Sequence, residues 1–370
     1  LDSSSAELTF PFMSSELVQE SGILYGVNKS NNSLVILDRF SLHNANSITF
    51  AQSGSGKSYT TKVEILRQLM QGTKVIVIDP EREYKRLTES VGGTYVKLSA
   101  TSKEKINPFD LATTFHEIND LSEHAQDLTE VISLMAEGLS AREKAAVDKA
   151  ILKVYKKAKE TQPLLEDLYA VLKDLGQMKL CERLEKYISG SLANVFNAQT
   201  NIKLDNRLVI FDIKDLPESL RQIMMLIISN FVQNQVKASP EKRLLIIDEG
   251  WLLLEHEESA RFVAGLVRRA RKYYLGVSII SQQANDFLKS DYGRAIASQS
   301  ALRILMRQDT TTIKNVVSEF NLSEYEQSYL LTCERGDALL VADQNHVAVK
   351  VVASDKEHPL ITTNPLELYG

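Results

Sequence analysis

Ala51-Gln52-Ser53-Gly54-Ser55-Gly56-Lys57-Ser58 decides the fold, because it reads as a phosphate-binding loop set between a strand and a helix. Residues 47–50 before it are β-prone, and residues 59–70 after it carry Val63, Leu66 and Met70 at helical spacing. In that setting Gly54 and Gly56 let backbone amides approach phosphate at a helix N-terminus. Ser53, Ser55 and Tyr59 complete the expected contact surface. Lys57 would reach the β- and γ-phosphates as a point charge, and the Ser58 hydroxyl would ligate Mg²⁺, so the expected ligands are ATP and Mg²⁺. Ala51 departs from the Gly that opens the strict pattern, but it lies at the strand end, where a methyl group costs little. The competing reading is a Gly/Ser turn that happens to precede a lysine. The flanking strand and helix favour the loop.

A chain of 370 residues, 44% of them hydrophobic, can hold one large α/β domain with an insertion, or two domains. Apolar runs such as residues 223–228 fall far short of the roughly 20 residues that span a bilayer, and no leader resembles a signal peptide. The chain as given therefore reads as soluble. It opens Leu1-Asp2-Ser3-Ser4-Ser5 rather than with Met, which suggests a fragment or a processed product. Cys181 and Cys333 cannot supply a zinc site alone, and the six histidines are scattered without paired ligand spacing. Both cysteines read as ordinary reduced residues, which fits an intracellular protein. A net charge of −5 offers nucleic acid no global attraction and leaves only local basic patches.

Residues 1–45 read as a leader and a small β element, with strands over 22–27 and 34–38 separated by a turn-rich Asn28-Lys29-Ser30-Asn31-Asn32. Residues 74–79 form a nearly continuous apolar run ending in Asp79, as expected of a parallel strand buried on both faces. Pro80 stops it, residues 95–98 offer another strand, and Asn107-Pro108-Phe109 breaks the rhythm. Residues 107–200 read as an all-α insertion. There Ser140 and Glu143 form a capping box ahead of Val147, Ile151 and Val154, and Pro163 opens a further helix. Lysines 149, 153, 156, 157 and 159 are expected on a solvated face. Strands at 208–212, 243–249, 276–281 and 301–306 then alternate with helices at 217–237 and 257–273. Two short helices and strands at 338–342 and 346–353 close the chain. The expected fold is α/β: residues 46–106 and 201–370 make a nucleotide-binding domain, its mainly parallel sheet flanked by helices with short antiparallel additions at the end.

Such a loop requires a carboxylate at a neighbouring strand end, and Asp79, Asp212 and Asp248 all qualify. Only Asp248 is followed at once by a second carboxylate, Glu249, so one can serve the metal and the other can polarise the attacking water. Asp79 and Asp212 read as capped strand ends. Gln282 ends the next strand, where a γ-phosphate sensor is expected, with Gln283 as its near rival. Arg268, Arg269, Arg271 and Lys272 either complement a helix C-terminus or include an arginine finger for a neighbouring subunit.

Gly26-Val27-Asn28, Asp38 to Leu42, Ala51 to Ser58, Ile78 to Glu81, Ile106 to Phe109, Ile247 to Trp251 and Ser281-Gln282 stand in an order that resembles the VirB-four class of type IV secretion ATPases. That class, TraC or TrbE in conjugation systems, belongs to the FtsK/HerA group of RecA-like P-loop motors. The resemblance runs from about residue 20 to 345. It implies a C-terminal RecA-like ATPase domain whose full-length relatives carry an N-terminal membrane-associated or interaction region. It also implies hydrolysis of ATP to energise pilus assembly and transfer of protein or DNA–protein substrates at the cytoplasmic face of the bacterial inner membrane. Partners would be other secretion components and, in a hexamer, further copies of the chain. By position Arg271 is similar to the family's finger, which places Lys57, Glu249, Gln282 and Arg271 as catalytic residues, Ser58 and Asp248 as metal ligands. Two alternatives are a DNA translocase or DNA-coupling ATPase of the HerA/FtsK kind, and a nucleotide-binding assembly platform with little activity alone.

Overall fold

The computed structural model describes residues 17–111, 118–158, 161–239, 241–364 and 367, so the leader Leu1 to Ser5 and Lys159 lie outside the described residues. Strands β1 (Ile23–Asn28), β2 (Leu34–Leu37) and β3 (Ser47–Phe50) lead into helix α1 (Lys57–Met70). Next come β4 (Lys74–Asp79), α2 (Lys85–Ser90) and β5 (Thr94–Lys97). Five helices follow: α3 (Ile118–Met135), α4 (Ala141–Lys157), α5 (Leu165–Asp174), α6 (Met178–Ile188) and α7 (Ala193–Phe196). The alternation resumes with β6 (Leu208–Asp212), α8 (Glu218–Ala238), β7 (Arg243–Ile247), α9 (Glu257–Ala270) and β8 (Leu275–Ser281). The chain then forms α10 (Ala284–Lys289), α11 (Asp291–Ser298), β9 (Leu302–Leu305), α12 (Ile313–Phe320) and α13 (Glu324–Thr332). Strands β10 (Asp337–Ala342) and β11 (Asn345–Lys350) and the short α14 (His358–Ile361) complete it.

All eleven strands join one sheet in the order β2-β1-β11-β10-β9-β3-β8-β7-β4-β6-β5. From β9 to β5 every pairing is parallel, and from β9 to β2 every pairing is antiparallel. The central parallel strands are mainly apolar because helices cover both faces; β6, β7 and β8 are buried at every residue. Register then fixes the chemistry. Asp79 pairs with Asp212, and Ile78 with Ile247, so three strands deliver their carboxylates to the same C-terminal edge. On the antiparallel side β11 lies between β10 and β1, where Gly26 is required: a Cβ there would meet the Lys350 carbonyl oxygen at 2.1 Å.

Helices α3 to α7 share one apolar core with the sheet's covering helices, Leu128 and Val131 in the same cluster as Val263 and Val267. The expected capping box forms, with Ser140 accepting from the Glu143 amide. Lys149, Lys156 and Lys157 are exposed and Lys153 is half-buried. A buried polar seam also docks α3 on α8: Gln233 donates to Asp127 at 2.9 Å, and His124 contacts Tyr155 at 2.8 Å and Asn234 at 3.1 Å. Burial, aided by the charge of Lys237, pushes His124 down to about 3, so its imidazole is neutral. Several expected bounds shift: strand 243–249 ends at Ile247, strand 301–306 is Leu302–Leu305, strand 346–353 ends at Lys350, Pro163 stands two residues ahead of α5, and helix 257–273 ends at Ala270 with Arg271–Tyr273 as a 3₁₀ turn. Cys181 and Cys333 are buried free thiols. No helix among the described residues is long and apolar enough to cross a membrane.

Candidate active site

The loop between β3 and α1 is held at both ends. Ala51, 1% exposed, donates its amide to the Ser281 carbonyl at 3.2 Å, and the Gly336 amide donates to the Ser55 carbonyl at 2.9 Å. Gly54 and Gly56 have φ of +79° and +101°, the left-handed region that glycine enters freely. Gly56 has a second constraint, since a Cβ would stand 3.1 Å from the Gly336 nitrogen. Gly56 caps α1 without a side chain, so the first amides of that helix have no intrahelical partner and form an anion-binding end. These amides, with Ser53, Gly54, Gly56, Lys57, Ser58 and Tyr59, line a cavity of about 160 Å³ whose far wall includes Gln282 and Glu83. Ser55 is buried beneath the loop, and Tyr59 bonds His358 at 2.9 Å.

The carboxylates arrive from the neighbouring strand end. Lys57 Nζ lies 2.8 Å from Asp248 Oδ1 and 2.5 Å from Glu249 Oε1. Gln282 donates to the same Glu249 oxygen at 2.6 Å, while the Trp251 indole N–H holds Oε2 at 2.8 Å. Tyr84 donates to Asp248 Oδ2 at 3.0 Å. Glu249 adopts φ +50°, a conformation unusual for a non-glycine residue and one that turns its side chain back toward Lys57. Burial opposes charge on Lys57, yet Asp248 and Glu249 hold its ammonium well above the ordinary lysine range. Burial likewise pushes the Asp248 carboxyl up, against the pull of Lys57.

Asp79 and Asp212 do different work. The Asp79 carboxylate accepts the amides of Glu83 and Tyr84, both at 3.1 Å, and burial raises it to about 7. Asp212 accepts from Arg82 at 2.6 Å and Tyr95 at 2.6 Å. No group of three or more His, Cys, Asp or Glu suited to a metal gathers among the described residues. Mg²⁺ is held by few protein oxygens plus substrate phosphates and water, so Ser58 at the start of α1 and Asp248 beside Lys57 fit it as a nucleotide-borne ion.

The arginine cluster divides. Arg269 ion-pairs with Glu123 at 2.9 Å and Asp127 at 3.3 Å, and so belongs to the seam between α9 and α3. Arg268 and Arg271 are exposed. Arg271 precedes β8 and Gln282 follows it, so the two stand at opposite ends of a seven-residue strand, about 20 Å apart. The structure brings Lys57, Asp248, Glu249 and Gln282 together and leaves Arg271 far from its own chain's loop. Trp251, Tyr84, Glu83 and Arg335 also reach the site. Only Trp251, two positions beyond Glu249 and the single tryptophan of the chain, carried a sequence signal.

Comparison with known proteins identifies the family and the fold. The family described as AAA-like domain matches residues 41–352. Protein TraC of Escherichia coli strain K12 is 25% identical over 294 residues, covering 72% of this chain and 32% of its own length. The structure of VirB4 of Thermoanaerobacter pseudethanolicus superposes with a TM-score of 0.83 at 28% identity, covering 93% of this chain and all of that one. The plasmid coupling protein TrwB in complex with ADP and Mg²⁺ shares the fold, with a TM-score of 0.63 at 12% identity, covering 92% and 91%. The sheet is thus a RecA-like one, and the chain spans about a third of TraC.

Proposed function

As the chain belongs to the AAA-like domain family, we propose that it is the ATP-hydrolysing motor domain of a type IV secretion ATPase of the VirB4 and TraC class. The observation that carries the reading is the convergence of Lys57, Asp248, Glu249 and Gln282 on one phosphate loop. In the mechanism this supports, Lys57 leaves the two carboxylates and turns to the β- and γ-phosphates, freeing Glu249 to receive a proton. Water attacks the γ-phosphorus, its proton passes to Glu249, and the bond to the β-phosphate oxygen breaks to give ADP and phosphate. Ser58 and Asp248 would hold Mg²⁺, which would supply charge neutralisation on the phosphates. Gln282 keeps Glu249 aimed and is placed to follow the γ-phosphate. Arg271, at the other end of β8, suits insertion into the site of a neighbouring copy, which would make turnover a property of a ring. Other secretion components are the partners this class implies, at the inner face of a bacterial membrane.

Exposed Arg268, Arg271 and Lys272 sustain a second reading, a DNA translocase, against a net charge of −5. Turnover of ATP against protein concentration, with and without DNA, for the wild type and Arg271→Ala, tests both. Turnover per chain that rises with concentration and is lost in Arg271→Ala supports the motor. Salt-sensitive DNA binding with stimulated hydrolysis favours the translocase. Tight ATP binding with vanishing, concentration-independent turnover identifies an inert assembly platform.

A further inference from the structure

The cavity at the phosphate loop, about 160 Å³, is smaller than the roughly 300–1,000 Å³ of a cleft that encloses a small ligand. It suits a chain of phosphates and leaves a nucleoside outside. A second cavity of about 570 Å³ adjoins it, and Glu83 and Thr363 line both. Resting on the ATP reading above, the geometry points to this second cavity as the nucleoside subsite, with ribose and base between α1 and α2 and under the segment that follows α14.

Three side chains there are equipped for a ligand that the protein itself does not provide. Lys62 on α1 is 4% exposed, and among the described residues its ammonium has no hydrogen-bond acceptor and no ion-pair partner; it stands 5.7 Å from the centroid of the Tyr84 ring. Glu83 Oε2 is buried without a hydrogen-bond partner. Arg86 lines the cavity from α2, and its guanidinium forms no ion pair or hydrogen bond among the described residues. A buried acceptor left unmade is costly, and a nucleoside answers it together with the unpaired Lys62 ammonium at the cavity wall. Its ring nitrogens accept from Lys62, its ribose hydroxyls or exocyclic amine donate to Glu83, and its base offers a face to the planar Arg86. The opposite wall is fixed to α1 by ion pairing of Arg67 with Glu357 at 2.8 Å and by the bond of Tyr59 to His358 at 2.9 Å. The C-terminal segment is therefore part of the nucleotide site.

The test is equilibrium binding of MgADP and of inorganic tripolyphosphate to the wild type, Arg86→Ala and Lys62→Met. Both variants are expected to weaken MgADP by about 5–100-fold, the worth of one stacked or bonded base, with tripolyphosphate unchanged. Arg86 is exposed, so its truncation keeps the test valid even if Lys62→Met unfolds. MgADP affinity unchanged in Arg86→Ala, or both ligands weakened in parallel, overturns the subsite. A wild-type chain that binds neither ligand overturns the ATP reading itself, a failure distinct from that of the subsite.

Discussion

Lys57 and Glu249 hold each other at 2.5 Å, so the cation proposed for phosphate and the carboxylate proposed for water are each other's partner in this structure. Binding of nucleotide has to separate them. In Glu249→Gln, Lys57 loses one of its two anionic holders and the reaction loses its proton acceptor. Turnover is expected to fall by about 10²-fold or more, while ATP affinity stays level or rises. Single-turnover hydrolysis alongside equilibrium binding measures the split, and unchanged turnover would remove Glu249 as the base.

The same separation has an optical reporter. Trp251 is the only tryptophan in the chain, and its indole N–H is bonded to Glu249 at 2.8 Å. Saturating MgATP should shift the emission excited at 295 nm, about the red edge of indole absorption, as Glu249 leaves Lys57. In Glu249→Gln the shift should shrink. An unchanged spectrum at saturation, shown by an independent binding measurement, would mean that Glu249 does not move.

Three neighbouring arginines should part ways in stability. Arg269→Ala leaves Asp127 buried at 6% exposure without its cation and is expected to cost about 1–3 kcal/mol. Arg268→Ala and Arg271→Ala, both at exposed positions, should stay within about 0.5 kcal/mol. Denaturant midpoints of the three variants decide the matter; equal losses would contradict the division.

Asp79 gives a pH signature. Its carboxyl is pushed up to about 7 by burial, against about 3.9 in an unfolded chain. The folded state therefore holds a proton that the unfolded state has released, and this contribution to stability is full below pH ~4 and lost as pH rises through ~7. Melting temperatures of the wild type minus those of Asp79→Asn should decline from pH 5 to pH 8 (about the span of that titration). A difference that is flat across this range would show that Asp79 is ionised in the folded protein.

Much of this molecule could be read from local sequence. Residues 74–79 and 208–212 match β4 and β6 to the residue, because a strand buried on both faces is a nearly continuous apolar run and each ends in a carboxylate that accepts hydrogen bonds at the sheet edge. Asp248-Glu249 stood out for the same reason. What escaped was set by tertiary contact. In the sequence α3 is indistinguishable from the rest of a helical block, and its role emerges only from Asp127 and Glu123 facing Arg269. Glu83 and Arg335 reach the phosphate cavity from loops with no motif of their own. The direction of the Glu249 side chain depends on a left-handed backbone that no spacing announces.

The place of β11 between β10 and β1 also constrains how the molecule comes into being. Among the described residues the β1–β2 hairpin joins the sheet only through β11, and the ion pair of Lys29 with Asp337 beside it closes a loop of 308 positions. On the ribosome, at about 5–20 residues per second, that hairpin would wait roughly 15–60 s for its partner strand. Its exposed edge is a target for chaperones or for a preceding segment during that interval, and a chain cut short before β11 would leave the edge open permanently.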